Sequence, residues 1–479
     1  MASGLRLSNR RRRFSADPWG CNGRPSARRG ETWRGFTVYR SFECQVYDPP
    51  ATSYAKRMDN RDSGVFRLAS VGNYLDALAA ITEEMSLKER SNLIFLDRCL
   101  HELWGLGQNV ILNWCPDGDG ITLIVIPHYG VATYSTTPQS GMRSSAEDVQ
   151  PKQDFFQTLL SARRCLTRAQ LSKVSRLLNV ETTHLALREP LSNTAPQNEI
   201  IEQMIKRYGI TYVPNRGVSL FDIVGFSLLS PFEQMMQLNS LSYSLNSAQA
   251  KLLSKRIGVD FSRTTTGDGF YIWNRNLSLE GNVSLYHFMQ LVLADNAIAH
   301  KKAQHNTVPR LRASFHVGSS YEFHQAEGLK PTIHNFIVGD VTVELARMIE
   351  RALPGQILVG DFRSTMRASG PESTGTTLDS VAFVDMATRS VGQLAGIELS
   401  GERVDAIRSY LTGPKLANGE FTVRRLVISD KHGISRRVYN AKVNIYRHNA
   451  EPILLGIEDR VLEPVGPPPS GERHPVNLI

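Results

Sequence analysis

The chain has 479 residues, of which 41% are hydrophobic and 21% charged, enough for two or three globular domains. Its net charge of +9 is concentrated in residues 1–57, which carry +8, so a folded nucleic-acid-binding face is not indicated. No apolar run approaches the ~18 residues needed to cross a bilayer, and the five scattered cysteines form no C-x-x-C pair that would indicate zinc or a disulfide framework.

The basic leader, residues 1–57, has no apolar periodicity and lacks the apolar core of a signal peptide. We predict a disordered leader. Two alternatives stay open: translation starts at Met58, or the leader is an arm that binds nucleic acid. The Pro- and Gly-rich tail, residues 464–479, is also predicted to be disordered.

Residues 58–208 show mixed helical and strand patterns, which predict an N-terminal α/β region for regulation or dimerisation. A mainly helical segment at 75–103 is followed by a hairpin at 110–126, whose tight turn at 116–120 lacks the later oxygen ligands of a calcium loop. A linker at 134–152 and helical segments at 153–178 and 195–208 follow.

From 212 to 450 the chain alternates strands with long helices, which predicts an α+β domain with a helix-covered sheet. The predicted strands and helices, in chain order, are strand 217–226, helix 231–256, two strands around 267–269, helix 283–303, strands 310–318 and 335–339, helix 340–352, and strands 356–360, 422–428 and 437–446.

Two aspartates interrupt apolar strands next to glycine. Asp222 lies in SLFDIVGFS (219–227) and Asp268 in TTTGDGFYIW (264–273). Carboxylates in strand interiors usually meet a positive charge, and a pair of them can hold two divalent cations about 4 Å apart. A helix start after Phe226, with its free N–H groups, would favour phosphate. These residues predict a nucleoside triphosphate site; the alternative is two carboxylates that only cap turns.

Four motifs in order resemble the class III nucleotidyl cyclases. They are the two aspartate motifs, GDVTVELARM at 339–348 and PGQILV at 354–359. The resemblance covers residues 212–365 and implies a ferredoxin-like βαββαβ catalytic domain that acts as a homodimer. It also implies that Asp222, the Ile223 carbonyl and Asp268 bind two Mn²⁺ or Mg²⁺ ions, and that Arg347 stabilises the transition state of cyclisation.

Other implied substrate contacts are placed by approximate position. Phe226 lies at the expected phosphate-binding turn, and Lys330, Lys431 or Arg436 could reach the triphosphate. The family's usual asparagine falls on Val343, with Glu344 beside it. Either another group orients the ribose or this half of the site is degenerate.

The positions that read the purine base in this family hold Thr264 and Phe336. A bulky Phe336 favours a smaller pyrimidine ring, and neighbouring Arg263, which can only donate hydrogen bonds, favours the O4 acceptor of uracil. UTP is therefore the expected substrate and CTP the alternative. A third interpretation is that Phe336 belongs to the strand core and base selection lies elsewhere.

Soluble pyrimidine cyclases of this kind resemble the bacterial Pycsar antiphage enzymes, as does the segment from Asp430 to Ile445. The resemblance implies a cytoplasmic uridylate cyclase whose product, cyclic UMP, activates a separate effector in antiviral defence. No membrane or nucleic-acid partner is expected. The competing hypothesis is a catalytically degenerate, cyclase-like module that binds nucleotide and dimerises.

Overall fold

The computed structural model describes most of the chain from Met85 onward. The described residues are 85–135, 146–326, 333–369, 374–399, 401–414, 416–418, 422–430, 433–459 and 462. The predicted leader and tail lie outside these ranges, as do Lys330 and Lys431. No helix within them is long and apolar enough to cross a membrane.

The N-terminal part of the described chain is mixed α/β, as predicted. Its helices are α1 (Leu87–Trp104), α2 (His128–Ser135), α3 (Ala146–Ser161), α4 (Arg168–Leu178) and α5 (Ala195–Arg207). Its strands, β1 (Asn109–Asp117), β2 (Gly120–Pro127) and β3 (Thr182–Ala186), form an antiparallel sheet in chain order. The tight turn predicted between β1 and β2 is confirmed, with Gly118 at φ +54°.

Two predictions in this region need correction. The predicted linker at 134–152 is wrong in part, because α2 continues to Ser135 and α3 begins at Ala146. The helical segment predicted at 153–178 is two helices rather than one. They separate because the Thr167 side chain caps the first turn of α4 and Gln170 bonds back to Thr167, which starts a new helix there.

From Ile210 onward the elements form a ferredoxin-like core. They are β4 (Ile210–Ile223), α6 (Pro231–Ser254), β5 (Phe261–Thr265), β6 (Gly269–Asn274), α7 (Leu279–Lys302), β7 (Leu311–Ala326), β8 (Ile333–Val338), α8 (Asp340–Arg351) and β9 (Ile357–Gly360). The central strands lie in the order β7–β4–β6–β5, with antiparallel neighbours throughout. This confirms the predicted α+β class with its βαββαβ core.

The remaining elements are β10 (Arg363–Arg367), β11 (Gly375–Asp379), α9 (Ser380–Ser390), β12 (Glu398–Leu399), β13 (Glu402–Leu411), β14 (Arg425–Ser429), β15 (Ser435–Arg447) and β16 (Ala450–Leu455). β10 and β11 form a separate two-stranded sheet, and the later strands extend the main sheet at the β9 edge, where β15 pairs with β9. Only β14 and β15 match predicted strands. The strands between 361 and 411 were not predicted because β10 buries only Ser364 and Met366, so it carries almost no apolar signal.

Opposite faces of the sheet carry different helices. On one face, α6, α7 and α9 pack against Phe221, Phe315 and other buried side chains. On the other face, α8 packs against Val218, Leu220 and Trp273. Because side chains alternate along a strand, Asp222 continues the row of Val218 and Leu220 on the α8 face of β4.

The first residues of β4 pack into the N-terminal part. Ile210, Tyr212 and the β7 residue Tyr321 contact an apolar cluster supplied by β1, β2, α3 and α4. The Tyr212 and Tyr321 rings lie 4.9 Å apart, and the Gln157 amide of α3 donates a 3.0 Å hydrogen bond to the Tyr321 hydroxyl. The predicted boundary between residues 208 and 212 therefore falls in packed structure.

Candidate metal and nucleotide site

The two predicted metal aspartates lie at the adjoining ends of neighbouring strands. Asp222 of β4 pairs with Gly269 of β6, the residue that follows Asp268. The backbone N–H of Ile223 donates a 3.0 Å hydrogen bond to the Asp268 carbonyl. The Asp222 carboxylate is buried and Asp268 is half-buried. The fold thus brings together the two carboxylates that the sequence singled out.

The glycines on either side of Asp268 make this close approach possible. Gly267 adopts φ +99°, which a residue with a side chain rarely adopts. A Cβ atom at Gly269 would lie 1.9 Å from the Phe221 carbonyl oxygen of β4. The turn is held by the Thr265 hydroxyl, which accepts the Gly267 N–H at 3.0 Å, and by the Thr266 hydroxyl, which donates to the Asp268 carboxylate at 3.2 Å.

Asp222 has a charged partner that the sequence did not predict. The Nε of Arg312 on β7 lies 2.6 Å from Asp222 Oδ2. Burial nevertheless raises the pKa of the Asp222 carboxyl; the Arg312 guanidinium opposes this rise and the Asp268 charge adds to it. A buried carboxylate beside a second one favours a bound cation, because the cation offsets both the desolvation and the repulsion.

The donor set of this site suits a hard divalent cation. No group of three or more His, Cys, Asp or Glu side chains in the described part of the chain is arranged to hold a metal. Two carboxylates and the Ile223 carbonyl would therefore supply only part of a coordination sphere. Mg²⁺ in nucleotide sites is commonly held in this way, by one or two carboxylates completed with substrate phosphates and water. The residues present fit such an ion.

A turn between β4 and α6 offers backbone donors beside the aspartates. Gly225 has φ +71° and leads into the 3₁₀ turn Phe226–Leu228. No backbone carbonyl of the described chain accepts from the N–H groups of Gly225, Phe226 or Ser227. Consecutive free N–H groups of this kind form concavities that bind anions.

The start of α6 itself is less suited to phosphate than predicted. Ser230 and Glu233 form a capping box that engages the N–H groups of both residues. The Glu233 carboxylate also places a negative charge at the helix start, where a phosphate would meet it. The phosphate-binding N–H groups are therefore expected in the turn 225–227 rather than in α6.

Arg347 contacts neither aspartate in the single chain. On α8 its guanidinium lies 3.4 Å from Glu350 and 3.7 Å from the buried Asp430 carboxylate. Asp430 is also paired with Arg436, which reaches Glu344 of α8 at 2.9 Å. Arg436, one of the residues suggested for the triphosphate, is therefore engaged in tying α8 to the β14–β15 hairpin.

The strands that carry the predicted base-reading residues lie side by side, but their contacts differ from the prediction. The Asn335 amide of β8 donates to the Ser262 hydroxyl of β5 at 3.4 Å. Phe336 stacks on Phe323 of β7, with ring centroids 5.7 Å apart. Asn335 and Ser262 are therefore additional candidates that line this region.

Arg263 and Thr264 are consecutive in β5 and therefore point to opposite faces of the sheet. The Arg263 guanidinium lies 3.4 Å from Asn246 of α6 and over the Phe270 ring. It is thus directed toward α6. Val343 is half-exposed on α8, and its side chain has no polar atom that could orient a ribose.

Neither a family model nor a curated protein sequence matches this chain. Solved structures do match, and guanylyl and adenylyl cyclases are among them. The guanylate cyclase domain of RhGC from Catenaria anguillulae, solved with GTP, is 13% identical, with a TM-score of 0.29, and the match covers 50% of this chain and 100% of that one. The adenylyl cyclase CyaB from P. aeruginosa is 15% identical, with a TM-score of 0.26, over 36% of this chain and 96% of that one. These values are too low to assign the chain to a family.

Proposed function

We propose that this protein is a nucleotidyl cyclase that converts a pyrimidine nucleoside triphosphate, UTP or alternatively CTP, into a 3′,5′-cyclic nucleotide and pyrophosphate. The observation that carries the proposal is the juxtaposition of Asp222, near the end of β4, with Asp268, which directly precedes β6 and whose carbonyl accepts the Ile223 N–H. The Asp268 charge raises the pKa of the Asp222 carboxyl, and a cation bound between the two carboxylates would offset this repulsion.

The chain's residues serve the reaction by holding the substrate. Asp222, Asp268 and the Ile223 carbonyl would hold Mn²⁺ or Mg²⁺, which supplies the charge that lowers the pKa of the ribose 3′-hydroxyl and stabilises the phosphates. The turn 225–227 would bind phosphate oxygens. The 3′-oxygen bonds to the α-phosphorus, the bond from that phosphorus to the bridging oxygen breaks, the hydroxyl proton passes to solvent and pyrophosphate leaves.

The proposal includes a homodimer with sites shared between subunits. Arg347 makes no contact with Asp222 or Asp268 within one chain, yet its guanidinium is partly exposed on α8 and can be presented to a partner. A second subunit related by two-fold symmetry would supply Arg347 to the α-phosphate, where a guanidinium can bind two oxygens at once.

Pyrimidine selection is supported mainly by the absence of the polar pair that would read a purine. Phe336 is half-buried, and its stacking on Phe323 extends an aromatic surface beside β5. Because Arg263 is directed toward α6, discrimination between uracil and cytosine falls to Thr264, whose hydroxyl can donate or accept. The direction of Arg263 removes the argument that ranked UTP above CTP, so both pyrimidine triphosphates are proposed substrates.

The substrate is tested by incubating the purified full-length protein with Mn²⁺ and each of the four triphosphates, then identifying products by mass spectrometry. We expect a cyclic pyrimidine nucleotide, cyclic UMP or cyclic CMP, as the main product. Asp222→Ala and Asp268→Ala should lower the rate by at least about 100-fold, whereas Asp405→Ala, an exposed aspartate of β13, should leave it unchanged. Cyclic AMP or cyclic GMP as the main product would contradict pyrimidine selection.

A second candidate function is a cyclase-like module that binds nucleotide without turnover. Val343 favours it, because an apolar side chain cannot hydrogen-bond a ribose hydroxyl. Tight triphosphate binding with no cyclic product, under conditions where Mn²⁺ is bound, would support this alternative.

The cellular role proposed is antiphage signalling from the cytoplasm, in which the cyclic nucleotide activates a separate effector. It is tested by measuring cyclic UMP and cyclic CMP in bacteria that express the protein, before and after phage infection. A rise that requires Asp222 is expected. Unchanged levels together with unchanged phage survival would contradict the role.

A further inference from the structure

We propose that Arg312 positions Asp222 for metal binding and so belongs to the metal site, although it touches neither metal nor substrate. This inference rests on the proposed function, because it assigns Arg312 a role at the same site. It concerns the orientation of the Asp222 carboxylate.

Arg312 is fixed at two points. It is the cross-strand partner of Asp222 in the β4–β7 pair, and its Nε lies 2.6 Å from Asp222 Oδ2. Its Nη1 donates a 3.0 Å hydrogen bond to the carbonyl of Ala352, the residue that ends α8. The planar guanidinium therefore spans from the helix end to the carboxylate, which leaves it little freedom to rotate.

The contact leaves one carboxylate oxygen of Asp222 for a cation. Within the described chain, Arg312 is the one cationic side chain that forms an ion pair with Asp222. It engages Oδ2, and no hydrogen bond to Oδ1 is formed by described residues. Since Asp268 directly precedes β6, the strand beside β4, Oδ1 is the oxygen available to share an ion with the Asp268 carboxylate.

A guanidinium suits this role better than an ammonium. A lysine at position 312 would keep the positive charge, but its single nitrogen cannot bond the Ala352 carbonyl and Asp222 Oδ2 in the geometry that two guanidinium nitrogens provide. Replacing Arg312 with lysine therefore tests the hydrogen-bond geometry of this side chain while its positive charge is kept. If charge alone mattered, removing Arg312 would strengthen cation binding, because a like charge beside the ion would be gone.

The test measures Mn²⁺ affinity of the full-length protein by electron paramagnetic resonance, without nucleotide and independently of turnover. Arg312→Lys should weaken Mn²⁺ binding roughly 10- to 100-fold, the range found when a residue that orients a metal ligand is lost. Arg312→Gln has no positive charge but can still donate a hydrogen bond to Asp222, so its Mn²⁺ affinity should lie between those of Arg312→Lys and the wild type. Arg310→Lys, an exposed arginine two residues earlier, is the matched control and should bind Mn²⁺ normally.

The outcomes separate this role from the proposed function. If the wild type binds Mn²⁺ and cyclises a triphosphate while Arg312→Lys and Arg312→Gln bind Mn²⁺ as tightly as the wild type or more tightly, the positioning role is overturned and the cyclase stands. If the wild type neither binds Mn²⁺ nor cyclises any triphosphate, both are overturned. Circular dichroism checks that the variants fold; if Arg312→Lys does not, the Arg312→Gln affinity decides.

Discussion

The close approach of β4 and β6 depends on a residue without a side chain. At Gly269 any Cβ would lie 1.9 Å from the Phe221 carbonyl oxygen, and the nearby backbone cannot move without breaking the pairing that sets Asp222 beside Asp268. We expect Gly269→Ala to lower the free energy of unfolding by at least about 2 kcal/mol. Gly258→Ala is the matched control, because a Cβ there meets nothing within 4 Å. Chemical denaturation measures both; equal stability of the two variants would contradict the clash.

His316 makes stability depend on pH. Burial lowers the pKa of His316 to about 4, so the folded state takes up a proton less readily than the unfolded state. Stability therefore falls as pH drops below the unfolded pKa of about 6.5, by about 2 kcal/mol between pH 8 and pH 5.

His316→Gln should remove about 2 kcal/mol of this acid destabilisation, measured by urea denaturation at pH 8 and pH 5. Part of the fall should persist, because burial also lowers the pKa of His324 and His287. The exposed His305 serves as control, and His305→Gln should keep the wild-type difference. An unchanged difference in His316→Gln would show that the buried imidazole is not responsible.

Individual site residues differ in how far the sequence could predict them. Asp222 and Asp268 stand out because each interrupts an apolar run beside glycine, a pattern visible within ten residues. Arg312 could not be found in this way, because its role depends on the register that sets β7 opposite β4, and register is fixed by packing far apart in the chain. The direction of Arg263 follows from strand alternation once β5 is known.

At the scale of elements, a tyrosine hydroxyl is one of several contacts that join α3 to the sheet, beside apolar packing and the Arg164 guanidinium, which bonds the Leu160 and Ile210 carbonyls. Tyr321→Phe removes the acceptor of the 3.0 Å hydrogen bond from Gln157 but keeps the ring packed on Tyr212. We expect a loss of about 1 kcal/mol in the free energy of unfolding. Tyr243→Phe, an exposed tyrosine on α6, should cost nothing measurable. Similar values for both variants would show that the hydrogen bond from Gln157 to Tyr321 contributes nothing measurable.

Long elements with strong periodicity were the ones that the sequence predicted well. The helices α6, α7 and α8 lie within a few residues of their predicted ends; Pro231 marks the start of α6, whereas the start of α7 at Leu279, capped by Ser278, was predicted four residues too late. Strand β4 was predicted to begin only at Gly217, because a bulge between Val213 and Arg216 interrupts its alternation. Strand β10 carries too few apolar residues to be recognised.

For the whole molecule, a shared site predicts complementation. Asp222→Ala and Arg347→Ala should each be inactive alone, but a dimer with one subunit of each kind contains one intact site. Co-expression of the two variants should restore roughly a quarter of the wild-type rate if subunits pair at random. Cyclase activity of the purified mixture is the measurement, with each variant expressed alone as the control. No recovery despite dimer formation would place Arg347 and the aspartates of one site in the same subunit.

The tyrosine pair of β4 and β7 affects any attempt to produce the chain from residue 212 onward by itself. Apolar side chains, including Ile210, Tyr212 and Tyr321, fill the region where the N-terminal helices pack against the sheet. A fragment that starts at residue 212 would expose this apolar surface to water next to the beginning of β4, the strand that carries Asp222. Such a fragment should aggregate unless detergent or a partner covers the patch, so its properties would not represent those of the full-length protein.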